Sequence, residues 1–349
     1  MLAPRQGEVM VRMAASGVCG TDLHAIDGDL PLPLPCVLGH EGAGVVEEVG
    51  PGVTTLAPGD HVVLLWRASC GRCFYCSIGR PALCDLGLRI RQTGAMPDGE
   101  TRFRRADGQP IYHFLGASTF SEYTVLPEAG TVKVRPDVPL DLAALVGCGV
   151  ITGVGAVMNA ARVEAGSAVA VFGAGGVGLN VIQGAALVGA ERIVAVDTRQ
   201  SKLDLARRFG ATHTVDAAHE DAVAAIQELT GGRGADYAFE AIGLPSAMAQ
   251  AVAAVRKAGT VVVVGLAPAG ATVGIDALAL TQQEKTLRGS LYGSARPRLD
   301  IPRLLDLYVA GKLKLEELVT RRYPLQDVNT AVEDLRRGEV ARALLTMSP

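Results

Sequence analysis

The chain has 349 residues, of which 36 are acidic and 33 are basic, and its formal net charge is −3. This length is enough for two domains, each with its own core, and the balanced charge argues against nucleic acid as a partner. The N-terminal segment has no basic region followed by a long apolar run, so we expect a cytoplasmic protein with reduced thiols rather than a secreted one.

Two uncharged segments are long enough to cross a membrane. They run from Leu142 to Ala161 and from Ala165 to Ala190. Both are rich in glycine, and the second divides into a strand pattern, a glycine cluster and a helical pattern. We therefore expect both segments to be buried in a protein core, and we expect no membrane partner.

The pattern of predicted secondary structure changes near residue 150. Before it, short Val-rich runs such as GAGVVEEVG and DHVVLLW lie between Gly and Pro residues, which predicts short strands joined by turns. From Ser167 onward strands and helices alternate: the predicted strands are AVAVF, RIVAVD, THTVD, DYAFEAIG, TVVVVG and TLRGSLYG, and one predicted helix is SAMAQAVAAVRKAG. This alternation predicts an α/β fold with a doubly wound parallel sheet.

A glycine cluster follows the first of these strands. Gly173, Gly175 and Gly178 form GxGxxG between a strand and a helix, and the next strand ends at Asp197. In a dinucleotide site these glycines allow a tight turn, a close approach to the pyrophosphate and close packing of the helix, while the carboxylate binds the adenosine ribose. The alternative is a structural turn without a ligand.

Asp197 also bears on the choice of cofactor. A fixed carboxylate at this position repels the 2′-phosphate of NADP, so the sequence favours NAD. Arg199, two residues further on, leaves that preference open, although it fits equally well as a residue that only flanks the adenosine.

Four of the seven cysteines lie close together. Cys70, Cys73, Cys76 and Cys84 form CxxCxxCx7C, and four thiolates at this spacing predict a tetrahedral structural zinc site without an open position. An iron–sulfur cluster is the first alternative, and a zinc ribbon that binds nucleic acid is the second.

The remaining cysteines are Cys19, Cys36 and Cys148. Cys19 and Cys148 together with His40 would give a ligand set of two thiolates and one imidazole with a fourth position open, as a catalytic zinc requires. Taken singly, a buried thiol or imidazole is equally a core residue, and spacing does not show that these three meet. Cys36 is interpreted as packing in a Pro-rich turn.

The motifs together resemble the zinc-containing medium-chain alcohol dehydrogenases. GVCGTDLH, GHEGAGVVEEVGPGV, the four-cysteine loop, GCGVITGVGAVMNAARV, VFGAGGVGLN and GSLYGS occur in that family's order. The resemblance implies a GroES-like, strand-rich catalytic domain at 1–149 and 293–349, and a Rossmann dinucleotide-binding domain at 150–292. Relatives usually begin with a further strand or two, so we expect an exposed sheet edge.

The resemblance also implies roles for individual residues. Cys19, His40 and Cys148 would hold the catalytic zinc, giving two zinc ions per chain. Near the metal, Glu41 would be a carboxylate that approaches the ion and Asp22 the partner of His40. Thr21 would hydrogen-bond the substrate oxygen, and His24 would be the outer end of a proton relay that runs through the nicotinamide ribose. Positions matched to the cofactor are Thr152 and Val177 beside the nicotinamide, Gly176 and Val264 in the binding site, and Arg342 on the pyrophosphate. Trp66 would line the substrate pocket.

These roles imply reversible hydride transfer between a primary aliphatic or aryl alcohol and NAD. Two alternatives within the family are a thiol-adduct formaldehyde dehydrogenase of the mycothiol type and a nicotinoprotein with tightly bound NADH. Leu88 stands where glutathione-dependent formaldehyde enzymes carry an arginine. Arg102, Arg104 and Arg105 would either bind an anionic thiol cofactor or form a solvated basic loop.

Three further expectations concern classes and assembly. A zinc-free quinone reductase would lack the set of Cys19, His40 and Cys148, and a non-enzymatic zinc scaffold would not need Thr21, His24 and Asp197 together. TLRGSLYG ends where relatives of the resembled family pair edge to edge, so a homodimer is expected, with a tetramer as the alternative.

Overall fold

The computed structural model describes residues 1–347, which form two compact units. Met1–Gly149 and the chain from Ala295 onward make the first unit, and Val150–Ser294 makes the second. The resemblance placed the return to the first domain at residue 293, two positions before Ala295. Strands and helices are numbered below in chain order.

The first unit is built on a seven-stranded sheet. Its strands are β1 (Glu8–Val18), β3 (Glu41–Val49), β4 (His61–Leu64), β7 (Tyr123–Pro127), β8 (Thr131–Lys133), β15 (Arg321–Pro324) and β16 (Ala343–Thr346). Their order is β15-β16-β1-β3-β4-β8, with β7 also paired to β1. Because β1 pairs with β3 on one side and with β7 and β16 on the other, the exposed edge expected near the N-terminus is not on β1.

Smaller elements surround that sheet. A three-stranded sheet contains β2 (Cys36–Val37), β5 (Phe103–Arg104) and β6 (Pro110–His113). The helices are α1 (Gly20–Ile26), α2 (Phe74–Ser77), α3 (Asp85–Thr93), α4 (Leu140–Leu145), α11 (Pro297–Val309) and α12 (Val328–Arg337). Val9, Val11 and Met13 of β1 pack with Leu64 and Leu126 in the core, because alternate residues of a strand face the same side.

The second unit is a parallel sheet covered by helices. Its strands are β9 (Ala168–Phe172), β10 (Arg192–Asp197), β11 (His213–Asp216), β12 (Ala235–Glu240), β13 (Val255–Val263) and β14 (Thr286–Gly289), in the order β11-β10-β9-β12-β13-β14. Its helices are α5 (Ile151–Gly155), α6 (Gly176–Leu187), α7 (Gln200–Arg208), α8 (Ala222–Leu229), α9 (Pro245–Ala254) and α10 (Ala277–Gln282). The β10 residues from Ile193 to Asp197 are all buried, as expected for a strand with both faces covered.

All six predicted strands of this sheet are confirmed, but one helix prediction is wrong at its end. The segment VRKAG was predicted to continue the helix, whereas α9 ends at Ala254 and β13 begins at Val255. Val255 pairs with Ala235 of β12, and Ala258 adopts a left-handed conformation with φ of 56°. Sheet pairing therefore overrides the local helical pattern.

One helical run is long and apolar enough to cross a membrane by composition. It extends over Leu140–Ala161, and 83% of its most apolar window is buried inside the protein. The second uncharged segment contains β9 and α6 rather than one helix. Both observations agree with the expectation that these segments form core.

The interpretation of residues 102–105 as a basic loop open to solvent or to a thiol cofactor is wrong for Arg102. Its side chain is fully buried, and its guanidinium donates to both oxygens of Glu8 at 2.8 and 2.6 Å and to Asp98 at 2.7 Å. A buried guanidinium needs such partners, because an unpaired charge in the interior is very costly. Glu8 is far away in sequence, so local composition did not reveal the pairing.

Candidate active site and dinucleotide-binding crevice

Cys19 is fixed at the start of α1. It precedes the helix in an extended conformation, and its N–H donates to Oδ2 of Asp22 at 2.9 Å. Asp22 thus satisfies a backbone donor that the helix N-terminus would otherwise leave unpaired. Both side chains are buried, so the thiol is held by a capped helix end rather than by a free loop.

His40 lies directly before β3 and is oriented by the same aspartate. Its Nδ1 is 3.0 Å from Oδ1 of Asp22, and both groups are almost completely buried. Burial opposes protonation, but the charge and hydrogen bond of Asp22 outweigh it and raise the pKa of His40. Nε2 is buried and has no hydrogen-bond partner among the residues that the structure describes. A metal ion is one partner that such a nitrogen would take.

Cys148 lies in a π-helical turn, Val146–Val150, between two glycines. A β-carbon on Gly149 would overlap the guanidinium of Arg342, and one on Gly147 would lie 2.9 Å from the carbonyl oxygen of Leu64. The glycines therefore let the turn approach its neighbours closely enough to place the Cys148 thiol. Single π-helical turns inside helices are frequent at functional sites.

The structure brings these three residues together. One ligand atom each from Cys19, His40 and Cys148 lies within 4.8 Å of the others, and all three residues are buried. The hydrogen bond with Cys148, aided by the charges of Arg342 and His40, lowers the pKa of Cys19 well below its ordinary value. Two sulfurs and one imidazole nitrogen suit zinc, and they leave one position of a tetrahedral ion for another ligand.

Glu41 and Arg342 lie beside this cluster. Nη1 of Arg342 is 3.6 Å from Oε2 of Glu41 and donates to the carbonyl of Val18 at 3.4 Å. Burial raises the pKa of Glu41 to about 8, although the Arg342 charge opposes the shift. Neither oxygen of Glu41 accepts a hydrogen bond within residues 1–347. Both side chains are buried, and the charged partner that the structure shows for Arg342 is Glu41.

The two residues matched to proton transfer both lie on α1. Thr21 Oγ1 is 3.8 Å from Sγ of Cys19, and His24 is three residues further along, so the two side chains share one face of the helix. Trp66 and Phe114 lie near the imidazole of His40 in edge-to-face arrangements, with ring centroids 6.5 and 5.7 Å from that of His40. Phe114 was not identified from the sequence, because nothing in its local pattern marks it.

Four of the remaining five cysteines form a second cluster. The sulfurs of Cys70, Cys73, Cys76 and Cys84 lie within 4.8 Å of one another. Backbone N–H groups donate to the sulfurs of Cys84 at 3.2 Å and Cys70 at 3.3 Å, and hydrogen bonds from the backbone lower the pKa of Cys73 to about 7. Four sulfurs fit a zinc ion with no position left over.

The glycine-rich turn of the second unit joins β9 to α6. Gly173 has φ of 93°, which a residue with a side chain rarely adopts, and a β-carbon on Gly178 would overlap the carbonyl of Gly173. The helix N-terminus therefore sits directly on the strand end, as dinucleotide binding requires. Helix α5, which carries Thr152, also packs closely against the start of α6, which carries Val177. A β-carbon on Gly153, the residue after Thr152, would lie 2.6 Å from the Val177 carbonyl oxygen.

Asp197 ends β10 beside this turn. Its Oδ2 accepts from the N–H of Ala174 at 2.9 Å, and its Oδ1 accepts from Thr198 and Arg199 at 2.9 and 3.1 Å. Lys202 lies 3.9 Å away. The carboxylate is thus held in a fixed position at the carboxyl end of the sheet, where ligands of such folds bind.

A second carboxylate at this end of the sheet was missed. Glu240 ends β12 fully buried, and its Oε1 accepts from the backbone N–H groups of Ile242 and Gly243 at 2.8 and 2.6 Å. Val264 follows β13, and its N–H donates to the Glu240 carbonyl at 2.8 Å. Burial raises the pKa of Glu240. The signal was available in the sequence, because Glu240 directly follows the apolar residues Ala238 and Phe239 at the end of its strand.

Comparisons with known proteins agree across the chain. Residues 5–137 match the alcohol dehydrogenase GroES-like domain, and residues 176–310 match the zinc-binding dehydrogenase family. The NDMA-dependent alcohol dehydrogenase of Amycolatopsis methanolica is 46% identical over 99% of this chain and 93% of its own. The S-(hydroxymethyl)glutathione dehydrogenase of Paracoccus denitrificans is 42% identical over 98% and 93%.

A solved structure is similar over the same length. The crystal structure of benzyl alcohol dehydrogenase from Acinetobacter calcoaceticus has a TM-score of 0.92 and 38% identity, covering 99% of this chain and 93% of that one. Both domain matches and these full-length similarities agree with the two units and the two cysteine clusters. The chain therefore belongs to the zinc-containing medium-chain alcohol dehydrogenases and is an oxidoreductase enzyme.

Proposed function

We propose that the enzyme oxidises primary aliphatic or aryl alcohols to aldehydes with NAD, and catalyses the reverse reduction. The observation that carries this proposal is the convergence of Cys19, His40 and Cys148. This set of three ligands leaves a coordination position for a substrate oxygen, whereas the four-cysteine cluster has none. The first set therefore suits catalysis, and the second suits stabilisation of the loop that carries it.

The protein groups divide the reaction between them. When bound, zinc supplies Lewis-acid activation of the substrate oxygen and the dinucleotide supplies the hydride acceptor. Thr21 accepts the hydroxyl proton at Oγ1 while its own proton passes outward to His24. His24 then releases one proton to water, since its side chain is 29% exposed. Asp22 holds His40 by Nδ1, so that Nε2 would be left to hold the metal.

Glu41 and Arg342 are proposed to act around this centre. Glu41 is a buried carboxylate whose oxygens accept no hydrogen bond from described residues, so it is available to approach the metal. Arg342 balances its charge from 3.6 Å. The proposed contact between Arg342 and the cofactor pyrophosphate would add a second anionic partner to the same guanidinium.

NAD is proposed as the cofactor in preference to NADP. The Asp197 carboxylate is held by three backbone N–H groups, so it cannot easily turn away from a 2′-phosphate. Gly173, Gly175, Gly176 and Gly178 would surround the pyrophosphate, with Thr152, Val177 and Val264 toward the nicotinamide. Arg199 donates its N–H to Asp197 and is proposed to flank the adenosine.

The substrate preference rests on the aromatic surroundings of His40. The aromatic rings of Trp66 and Phe114 both lie close to that of His40, which favours an apolar substrate body. The similarity to a benzyl alcohol dehydrogenase supports aryl alcohols within that class. Apolar walls discriminate weakly by size, so we expect several primary alcohols to be oxidised.

The thiol-adduct alternative has support from sequence similarity and opposition from two residues. A similar protein is an S-(hydroxymethyl)glutathione dehydrogenase. However, Leu88 replaces the arginine expected for a glutathione adduct, and Arg102 is buried against Glu8. The nicotinoprotein alternative is kept because an NDMA-dependent enzyme is 46% identical.

We further propose a homodimer in the cytoplasm, with a tetramer as the alternative. β14 lies at one edge of the six-stranded sheet, and Leu287 on it is 39% exposed. An exposed apolar edge strand pairs readily with a second copy about a twofold axis. The cytoplasm is proposed because thiols that bind metal must stay reduced, and a reducing compartment keeps them so.

One panel tests this proposal. Aliphatic and aryl alcohols and aldehydes are offered with NAD and NADP, with and without glutathione or mycothiol, to protein checked for co-purified NADH. We expect oxidation of primary alcohols with added NAD and no thiol. A strict thiol requirement would favour the formaldehyde dehydrogenase, and turnover of tightly bound NADH without free NAD would favour the nicotinoprotein.

A further inference from the structure

The loop after α1 brings the carboxylate of Asp29 within hydrogen-bond distance of the His24 imidazole. Oδ2 of Asp29 is 2.8 Å from Nδ1 of His24, and the two side chains are 38% and 29% exposed. The sequence shows both residues but not their contact, because five positions separate them across a helix end.

A tight turn makes this contact. The N–H of Asp27 donates to the Leu23 carbonyl at 2.8 Å and ends α1, and Gly28 then adopts φ of 84°. The N–H of Leu30 returns to the carbonyl of His24 at 3.2 Å. The turn thereby folds back over the last turn of the helix and carries Asp29 to the imidazole. A residue with a side chain would be strained at Gly28.

A second interaction anchors this turn. The carboxylate of Asp27 accepts two hydrogen bonds from Arg336 of α12, at 2.8 and 3.0 Å. This bidentate pairing has the most favourable geometry for a partly exposed ion pair. The Asp27 charge is thus directed to Arg336, which leaves Asp29 as the carboxylate that hydrogen-bonds His24.

We propose that Asp29 is a positioning residue of the proton relay. It accepts the hydrogen bond of Nδ1–H and thereby keeps the proton of neutral His24 on Nδ1, which leaves Nε2 with the lone pair that receives the substrate proton. The hydrogen bond made by one ring nitrogen determines which tautomer is present. The inference rests on the proposed function, because it requires His24 to carry that proton.

The proton balance is simple. Nε2 takes up one proton and the ring becomes an imidazolium, which keeps its Nδ1–H hydrogen bond to the Asp29 carboxylate. The imidazolium then releases one proton to water and returns to the neutral Nδ1–H form. In aldehyde reduction the same steps run in the opposite direction, so no further co-reactant is needed.

Histidine-selective 15N labelling of the zinc- and NADH-loaded enzyme tests the tautomer directly. We expect the ring shifts of neutral His24 to show the proton on Nδ1 and to show it on Nε2 in Asp29→Ala. His219 provides a matched control, because its Nδ1 lies 2.8 Å from Asp216 on the surface. Asp216→Ala should change His219 alone and leave alcohol oxidation unchanged. An unchanged His24 tautomer in Asp29→Ala would overturn the proposal.

A double-mutant cycle tests the consequence for catalysis. Asp29→Ala should lower kcat for alcohol oxidation about tenfold, less than the complete loss of a general base, and Asp29→Glu should restore part of it. In a His24→Gln background Asp29→Ala should have no further effect. Additive losses would overturn the role of Asp29 but keep the relay. If His24→Gln alone leaves kcat unchanged, the relay itself fails, and this inference fails with it.

Discussion

Asp22 connects two of the three converging residues: its Oδ1 is 3.0 Å from Nδ1 of His40, and its Oδ2 accepts from the N–H of Cys19 at 2.9 Å. One buried carboxylate thus fixes a helix N-terminus and the ring of a metal-binding histidine at once. The same side chain therefore positions two of the residues that would hold the metal.

Removing the charge of Asp22 should weaken zinc binding at this site. Asp22→Asn keeps the size of the side chain but weakens its hold on Nδ1 of His40, so we expect a loss of about 10- to 100-fold in zinc affinity. Competition with a chromophoric chelator measures this, with Asp216→Asn as a surface control. Unchanged affinity for both zinc ions would show that Asp22 does not orient the ligand.

The four-cysteine cluster should contribute to stability rather than to turnover. Cys73→Ser removes one ligand, and loss of a structural metal belongs to the changes that cost about 4 kcal/mol or more. We expect lower thermal stability and one zinc ion fewer per chain. Cys36→Ser is the matched control, because Cys36 lies in neither cluster. Equal stability of the two variants would contradict the structural role.

Asp197 should decide between the two nicotinamide cofactors. We expect kcat/KM to be higher with NAD than with NADP, and Asp197→Asn to reduce that preference about tenfold, because a fixed negative charge repels a phosphate. Asp204→Asn on α7 is the control, since that carboxylate pairs with Arg207 at the surface. A wild-type preference for NADP would refute this role.

His113 should make stability depend on pH. It is buried and accepts from the N–H of Arg102 at 3.0 Å, and burial lowers its pKa to about 3. Its unfolded pKa is about 6.5, so the unfolded chain binds more protons between these values. Stability is therefore fully present above pH 6.5 and falls as the pH drops through this window.

The slope of the free energy of unfolding against pH tests the contribution of His113. His113 should contribute about 1.4 kcal/mol per pH unit between pH 6 and 4, measured by urea unfolding, relative to His113→Gln. Gln retains an oxygen that can accept from Arg102. Parallel pH profiles of wild type and His113→Gln would contradict this expectation.

The parts of this structure that sequence predicts are those specified locally. The strands from β9 to β14 follow from apolar runs, and the position of Asp197 follows from a carboxylate at a strand end. The pairing of Arg102 with Glu8 was not predictable, because it joins side chains 94 positions apart. The contact between Asp29 and His24 depends on the turn at Gly28, whose direction the local sequence does not specify.

The two metal-binding clusters differ in how far the sequence predicts them. The spacing of the four cysteines from Cys70 to Cys84 is local and predicts its cluster, whereas Cys19, His40 and Cys148 meet only because β1, β3 and the π-helical turn lie together in the first unit. Resemblance suggested that set, and neither composition nor spacing could have established it. Glu240 could have been found, since a charged residue that ends a buried strand is unusual.

Metal content and activity of Cys148→Ser test the central claim most directly. We expect two zinc ions per chain in the wild type and one in the variant, with NADH still bound and alcohol oxidation abolished, because the dinucleotide site does not include Cys148. A variant that retains two zinc ions and oxidises alcohol at the wild-type rate would contradict the assignment of Cys19, His40 and Cys148 as the catalytic ligands.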